Sequence, residues 1–166
     1  MEGRRPTSGR HHPADPGTRA SAMTRVIRLE IDSRPECIEL LSDALCGVCR
    51  RLPATEIDRI NLAMVEAVNN AVEHAYRGEP GHPVWVELEL ASDHLRVRVC
   101  DRGQPMDPHH LEAELIEPDP ADPATWSMRS RGLFIIRNCM DEVRYETRDG
   151  VNILAMNRRL ANDPSA

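Results

Sequence analysis

Residues 24–31 alternate along the chain, with Ile27, Leu29 and Ile31 on one side and Val26, Arg28 and Glu30 on the other. That is the period of a half-buried strand. The period then lengthens. Pro35 stands near the first turn of a helix in which Ile38, Leu41, Leu45, Val48 and Leu52 recur at helical spacing, and Pro53 ends it. A second, longer helix follows, with Thr55 as its expected N-cap and Asp58 three residues on. Ile57, Ile60, Met64, Ala67, Val68, Ala71, Val72 and Ala75 make its buried face, and it stops before Gly78-Glu-Pro-Gly81.

Alternation returns over residues 83–90 and 94–100, around Ala91-Ser-Asp93, as in a hairpin. Asp101-Arg-Gly-Gln-Pro-Met-Asp-Pro108 breaks the second of these strands. Residues 111–116 suggest a short helix. Residues 117–131, with Pro118, Pro120 and Pro123 and few apolar side chains, have the composition of a lid. A helix over 132–140 and a hairpin of 143–147 with 151–157, turning at Asp149-Gly150, complete the pattern. The order predicts an α/β (α+β) two-layer sandwich, a mixed, mostly antiparallel sheet with helices on one face. It forms one domain over residues 23–160. Residues 1–22, rich in Arg, Pro, Gly, Ser and His, read as a disordered tail, and 161–166 as a frayed end.

The second helix carries an unusual polar stripe. Glu66, Asn70 and His74 are each one turn apart on an otherwise Ala-rich, apolar segment. Asn is a mediocre helix former, so Asn69 and Asn70 in mid-helix point to work for the side chain. A carboxylate for proton handling beside an amide oxygen for a hard cation is one such use. A solvated helix face, or an Asn pair satisfying nearby backbone, is the other.

Charge and composition narrow the chemistry. The 166 residues carry a formal net charge of −6, which argues against sequence-independent nucleic-acid binding. All 21 basic residues are Arg. Without lysine there is neither a P-loop nor the strand lysine of the protein-kinase fold, so nucleotide charge would fall to a metal ion, backbone N–H groups and Arg. No apolar run is long enough to span a bilayer, and no secretory signal follows the basic N-terminus, which predicts a cytoplasmic protein. The five cysteines read as reduced thiols. Cys46-Gly-Val-Cys49 falls late in a helix, the wrong place for a redox pair, and reads as small buried residues.

Three boxes remain: the Glu/Asn helix, Asp101-x-Gly103 after a strand, and Ser130-Arg-Gly-Leu-Phe134 opening a helix behind the lid. An Asp at a strand end can accept from an exocyclic amine, and glycine lets backbone approach a flat base. Gly132 at a helix N-terminus would offer free N–H groups to phosphates. In this order the boxes resemble the GHKL ATPase superfamily. More closely, the chain is similar to the anti-sigma-factor serine/threonine kinases, through Glu66-x-x-x-Asn70-Ala-x-x-His-Ala75, residues 101–108, and Arg131-Gly-Leu-Phe-Ile-Ile136 followed by Met140-Asp-Glu-Val143.

That resemblance implies a Bergerat-type fold binding ATP or ADP with Mg²⁺. It implies Glu66 as general base, Asn70 as Mg²⁺ ligand, Asp101 and Gly103 at adenine, and Ser130, Arg131 and Gly132 at the phosphates. It also implies phosphorylation of a STAS-class anti-anti-sigma protein, sequestration of a sigma factor or similar regulator, and a homodimer. Two positions depart from the family pattern. Ser130 replaces the first glycine of Gly-x-Gly, and Val151 and Asn152 follow Gly150 where Thr is usual. A non-catalytic, ATP-tuned binding switch is the alternative to the kinase. A detached histidine-kinase module is a weaker one, because no segment supplies a phosphoacceptor helix pair.

Overall fold

The computed structural model describes residues 25–107, 109–112 and 128–160, with side chains for all but residues 110, 112 and 128–130. The expected tails, residues 113–116 of the expected short helix, most of the Pro-rich segment and the Ser130 side chain lie outside that set.

Strand β1 (Arg25–Asp32) leads through a 3₁₀ turn at Pro35–Cys37 into α1 (Ile38–Cys49). Helix α2 (Ala54–Asn69) follows and continues as a π-helical turn over Asn70–Ala75. Strands β2 (Pro83–Leu90) and β3 (His94–Asp101) form the first hairpin. A single helical turn, α3 (His109–Glu112), precedes α4 (Met128–Cys139) and the closing hairpin of β4 (Glu142–Arg148) and β5 (Val151–Arg159). The five strands lie in the order β1-β2-β3-β5-β4. All four ladders are antiparallel, so the sheet has none of the parallel pairing that a mixed one would contain. The last strand in sequence therefore inserts between β3 and β4. Asp149 and Gly150, with φ of 53° and 74°, make the tight turn expected of an Asp-Gly hairpin.

Alternation decides the faces. Val84, Val86 and Leu88 on β2, Leu95, Val97 and Val99 on β3, and Leu154 and Met156 on β5 point inward and are buried. Leu41 and Leu45 of α1, Ile60, Met64 and Val68 of α2, and Leu133 and Ile136 of α4 meet them. Each such side chain contributes about 1.5–3 kcal/mol by leaving water. The opposite face is a charged lattice, in which Arg98 bonds Glu87 at 3.0 Å and Glu89 at 3.2 Å, and Arg96 bonds Glu89 at 3.1 Å.

Local chemistry moves two expected boundaries. Helix α2 starts ahead of Thr55, because the carbonyl of Pro53 already accepts the N–H groups of Glu56 (2.9 Å) and Ile57 (3.1 Å). Pro53 is thus the N-cap residue, and no side chain caps that end. Helix α4 starts at Met128, four residues ahead of Gly132. On α1, Cys49 is buried and its thiol is pushed up to about 11 by desolvation, with the neighbouring Cys46 adding to the shift. Cys46 is exposed rather than buried, one turn away on the solvent side.

Candidate active site

The polar stripe of α2 runs into an irregularity. The amide of Tyr76 donates to Ala71 five residues back (3.0 Å), and that of Gly78 to Val72 (2.8 Å), so the coil is wider than an α-helix here. Such turns cluster at functional sites because they re-aim side chains. Here the wide turn leaves the Ala75 carbonyl free to accept the amide of Gln104 at 2.9 Å. The loop after β3 is thereby clipped to the helix end. Gly103 fits beneath it only as glycine, since a Cβ there would stand 2.4 Å from the Ala75 oxygen. Tyr76 completes the clip. Its hydroxyl donates to Pro83 (2.8 Å) and accepts the Arg102 amide (2.7 Å).

Between the helix end, the sheet and this loop lies a cavity of about 210 Å³, bounded by Asn70, His74, Asp101, Met106 and Tyr145 among others. Asp101 ends β3 on the inner face and is 8% exposed. Burial raises its pKa, while donors from Asn152 and the Gly103 amide pull it down. Both donors reach the same oxygen: Asn152 Nδ2 lies 2.7 Å and the Gly103 nitrogen 2.9 Å from Oδ1. No hydrogen bond among the described residues falls on Oδ2, which is left to meet a ligand. An acceptor on the wall of a narrow, half-apolar slot suits the amine edge of a purine.

At the other end, α4 crosses α2 at Gly132. A Cβ on Gly132 would lie 3.2 Å from Glu66 Oε2 and 3.5 Å from Asn70 Oδ1. The glycine therefore brings two helices together over the stripe. The Asn70 carboxamide makes no hydrogen bond among the described residues, and its Nδ2 is buried without a partner. An orphaned buried amide costs about 1–3 kcal/mol, a standing reason for a ligand to be recruited there. Turning the amide over presents its oxygen instead, as a hard cation needs. Among the described residues no cluster of three or more His, Cys, Asp or Glu could cage a metal.

The start of α4 differs from expectation in one respect. Gly132 is the fifth residue of α4, so its amide belongs to the helical ladder, and the amides with no acceptor inside the helix are those of residues 128–131. Gly132 acts by lacking a side chain. Arg131 is exposed on that first turn.

Sequence reasoning missed Asn152, Thr147 and Tyr145. Asn152 faces Asp101 across β3–β5 and Thr147 across β4–β5, so the three form one row on the inner face. Thr147 donates to Asn152 Oδ1 at 3.0 Å, and Tyr145 Oη accepts the Met106 amide at 2.8 Å. The only trace in the sequence was the missing Thr after Gly150.

One slot with a lone acceptor at its base end and an unpartnered amide beside a carboxylate at the other has the outline of an ATP site. The known proteins agree. The histidine kinase-like ATPase domain model matches residues 31–158, and the chain belongs to that family. Within it, the relatives are RsbW-type serine-protein kinases. The serine-protein kinase RsbW of Listeria monocytogenes serovar 1/2a is 32% identical over 134 residues, covering 77% of this chain and 83% of that one. RsbW of Bacillus subtilis is 31% identical over 130 residues, covering 76% and 81%. The fold is also that of the crystal structure of the RsbU and RsbW domains of Rv1364c from Mycobacterium tuberculosis. There the TM-score is 0.58 at 21% identity, over 82% of this chain and 32% of that longer chain. The protein is thus an ATP-binding serine/threonine protein kinase of the anti-sigma-factor type.

Proposed function

We propose that this protein transfers the γ-phosphoryl group of Mg-ATP to a serine or threonine of a STAS-class anti-anti-sigma protein. When that partner is not engaged, it holds a sigma factor or similar regulator. It works in the cytoplasm as a homodimer, with residues 23–160 as the catalytic domain. Among the described residues no helix is long and apolar enough to cross a membrane.

The observation that carries this reading is the unpartnered Asn70 carboxamide directly beside Glu66, under Gly132. Glu66 Oε2 stands at the same contact with Gly132 as the Asn70 amide, which places a carboxylate where an acceptor hydroxyl would be deprotonated. Mere nucleotide binding needs no such group. In the transfer, the acceptor oxygen bonds to the γ-phosphorus as its bond to the β,γ-bridging oxygen breaks. The hydroxyl proton goes to Glu66, and ADP leaves with the bridging oxygen. Asp101 Oδ2 accepts from the adenine amine and fixes the purine in its slot. Asn70 would hold the Mg²⁺, which neutralises phosphate charge in a chain that has no lysine. Arg131 and the first-turn amides of α4 face the phosphates.

Incubation with labelled ATP and the STAS-domain proteins of the same genome tests the assignment. Label is expected on one serine or threonine of one of them. If the wild type binds ATP and labels none, the chain is an ATP-tuned binding switch instead.

A further inference from the structure

We propose that Asn152 is the positioning residue that sets base selectivity, by holding Asp101 so that it meets the ligand as an acceptor alone. This inference rests on the nucleotide reading of the cavity.

The Asn152 side chain is 2% exposed, and its polar capacity is used in one direction. Its Nδ2 donates to Asp101 Oδ1 at 2.7 Å and to the Gly103 carbonyl at 3.1 Å. Its Oδ1 accepts from Thr147 at 3.0 Å. The Asp101 carboxylate and the Gly103 carbonyl, both acceptors, fix which way the amide points, and the Thr147 hydroxyl supplies the donor for the oxygen on its other side. Two consequences follow for Asp101. One of its oxygens is occupied, so Oδ2 is the oxygen offered to the cavity. Two donors also stabilise the charged form against burial, which acts the other way. Without Asn152 only the Gly103 amide opposes burial, and the carboxyl group is protonated at higher pH.

Protonation inverts what Asp101 recognises. Ionised, it accepts from an exocyclic amine and repels a carbonyl oxygen. Protonated, it donates, and a 6-keto purine becomes the better partner. Other ionisable groups do not replace Asn152 here. Tyr76 and Arg102 flank the strand end, and His74 and Asp107 sit on the cavity wall. Cys100 behind it is a neutral thiol, its pKa pushed up to about 11. The donors that act on Asp101 are the Asn152 amide and the Gly103 backbone.

ADP and inosine diphosphate, which differ only in carrying an amine or a carbonyl at the six position and in the proton that N1 bears beside the carbonyl, are the probes. Calorimetry with Mg²⁺ is run at about pH 6 and about pH 8, on either side of neutrality. The wild type should prefer ADP by about a hundredfold or more at both values. In Asn152→Leu, ADP binding should fall about tenfold and the preference should shrink below about tenfold, with the larger loss at the lower pH. Asn152→Thr, which keeps a short donor, should restore most of the preference. Thr147→Val should show the same loss in milder form, and it leaves the buried position untouched should Asn152→Leu fail to fold. Folded variants whose preference and pH profile match the wild type would overturn the role of Asn152. A wild type that binds neither nucleotide at millimolar concentration would overturn the nucleotide reading itself.

Discussion

Gly103 lies so close to Ala75 that an added methyl carbon would stand 2.4 Å from the carbonyl oxygen and 2.6 Å from the carbonyl carbon. The obstruction is backbone, which cannot swing aside as a side chain can. Gly103→Ala should therefore part the loop from the helix end, breaking the bond from Gln104 to Ala75. A loss of about 1–3 kcal/mol in urea unfolding is expected, as for other overpacked sites, together with at least tenfold weaker ADP binding. Unchanged unfolding and affinity would mean that the clip does not shape the cavity.

Gly132→Ala should behave in the opposite way. It sits inside α4, where alanine is favoured over glycine by about 0.5–1 kcal/mol. Its new Cβ would meet the flexible Glu66 carboxylate at 3.2 Å and the Asn70 amide just beyond. The melting temperature should hold or rise while phosphotransfer drops. Parallel melting curves and phosphorylation time courses separate the two effects.

Glu66 and Asn70 share the crowded contact with Gly132 but should fail differently. Glu66→Ala removes the proton acceptor, so nucleotide binding should survive while phosphotransfer falls about 10²–10⁴-fold. Asn70→Ala removes the group assigned to the metal, so Mg-nucleotide binding and transfer should fall together. Calorimetry with and without Mg²⁺ checks the split, and equal loss of binding in both variants would contradict it.

Glu56 at the start of α2 receives Arg158 Nε at 2.7 Å and Nη2 at 3.0 Å, a fork that ties the helix to β5. The hydrogen bond from Arg158 holds the Glu56 carboxyl below its usual 4.5. A depressed folded-state pKa gives stability that is present above the unfolded value of 4.5 and lost as pH falls through the folded value. Glu56→Gln should cost about 1 kcal/mol at neutral pH and flatten that acid limb. Urea midpoints at several pH values test both.

Much of this architecture was legible because its signals are local. Ile27, Leu29 and Ile31 name a strand face by themselves, and Glu66 with Asn70 names a helix stripe. Asp149-Gly150 names its own turn. What escaped was set across the fold. Nothing near Asn152 tells that its amide will be held between Asp101 and Thr147, since Asp101 lies 51 residues earlier. The partner that the wide turn at Asn70–Ala75 leaves room for, the Gln104 amide, is likewise remote in sequence. The start of α2 was misplaced because Thr55 is the better capping side chain, but the Pro53 carbonyl reaches the first amides sooner.

The place of β5 between β3 and β4 bears on how the protein is made. The base end of the slot is a row of three strands whose middle member is the last to leave the ribosome. While β3 is still waiting for that neighbour, Asp101 has neither Asn152 nor Thr147 behind it, and Val97 and Val99 border an open edge. The first hairpin alone therefore presents Asp101 without the side chains that hold it. A chain that stopped before residue 152 would lack the strand that closes the slot beside Asp101.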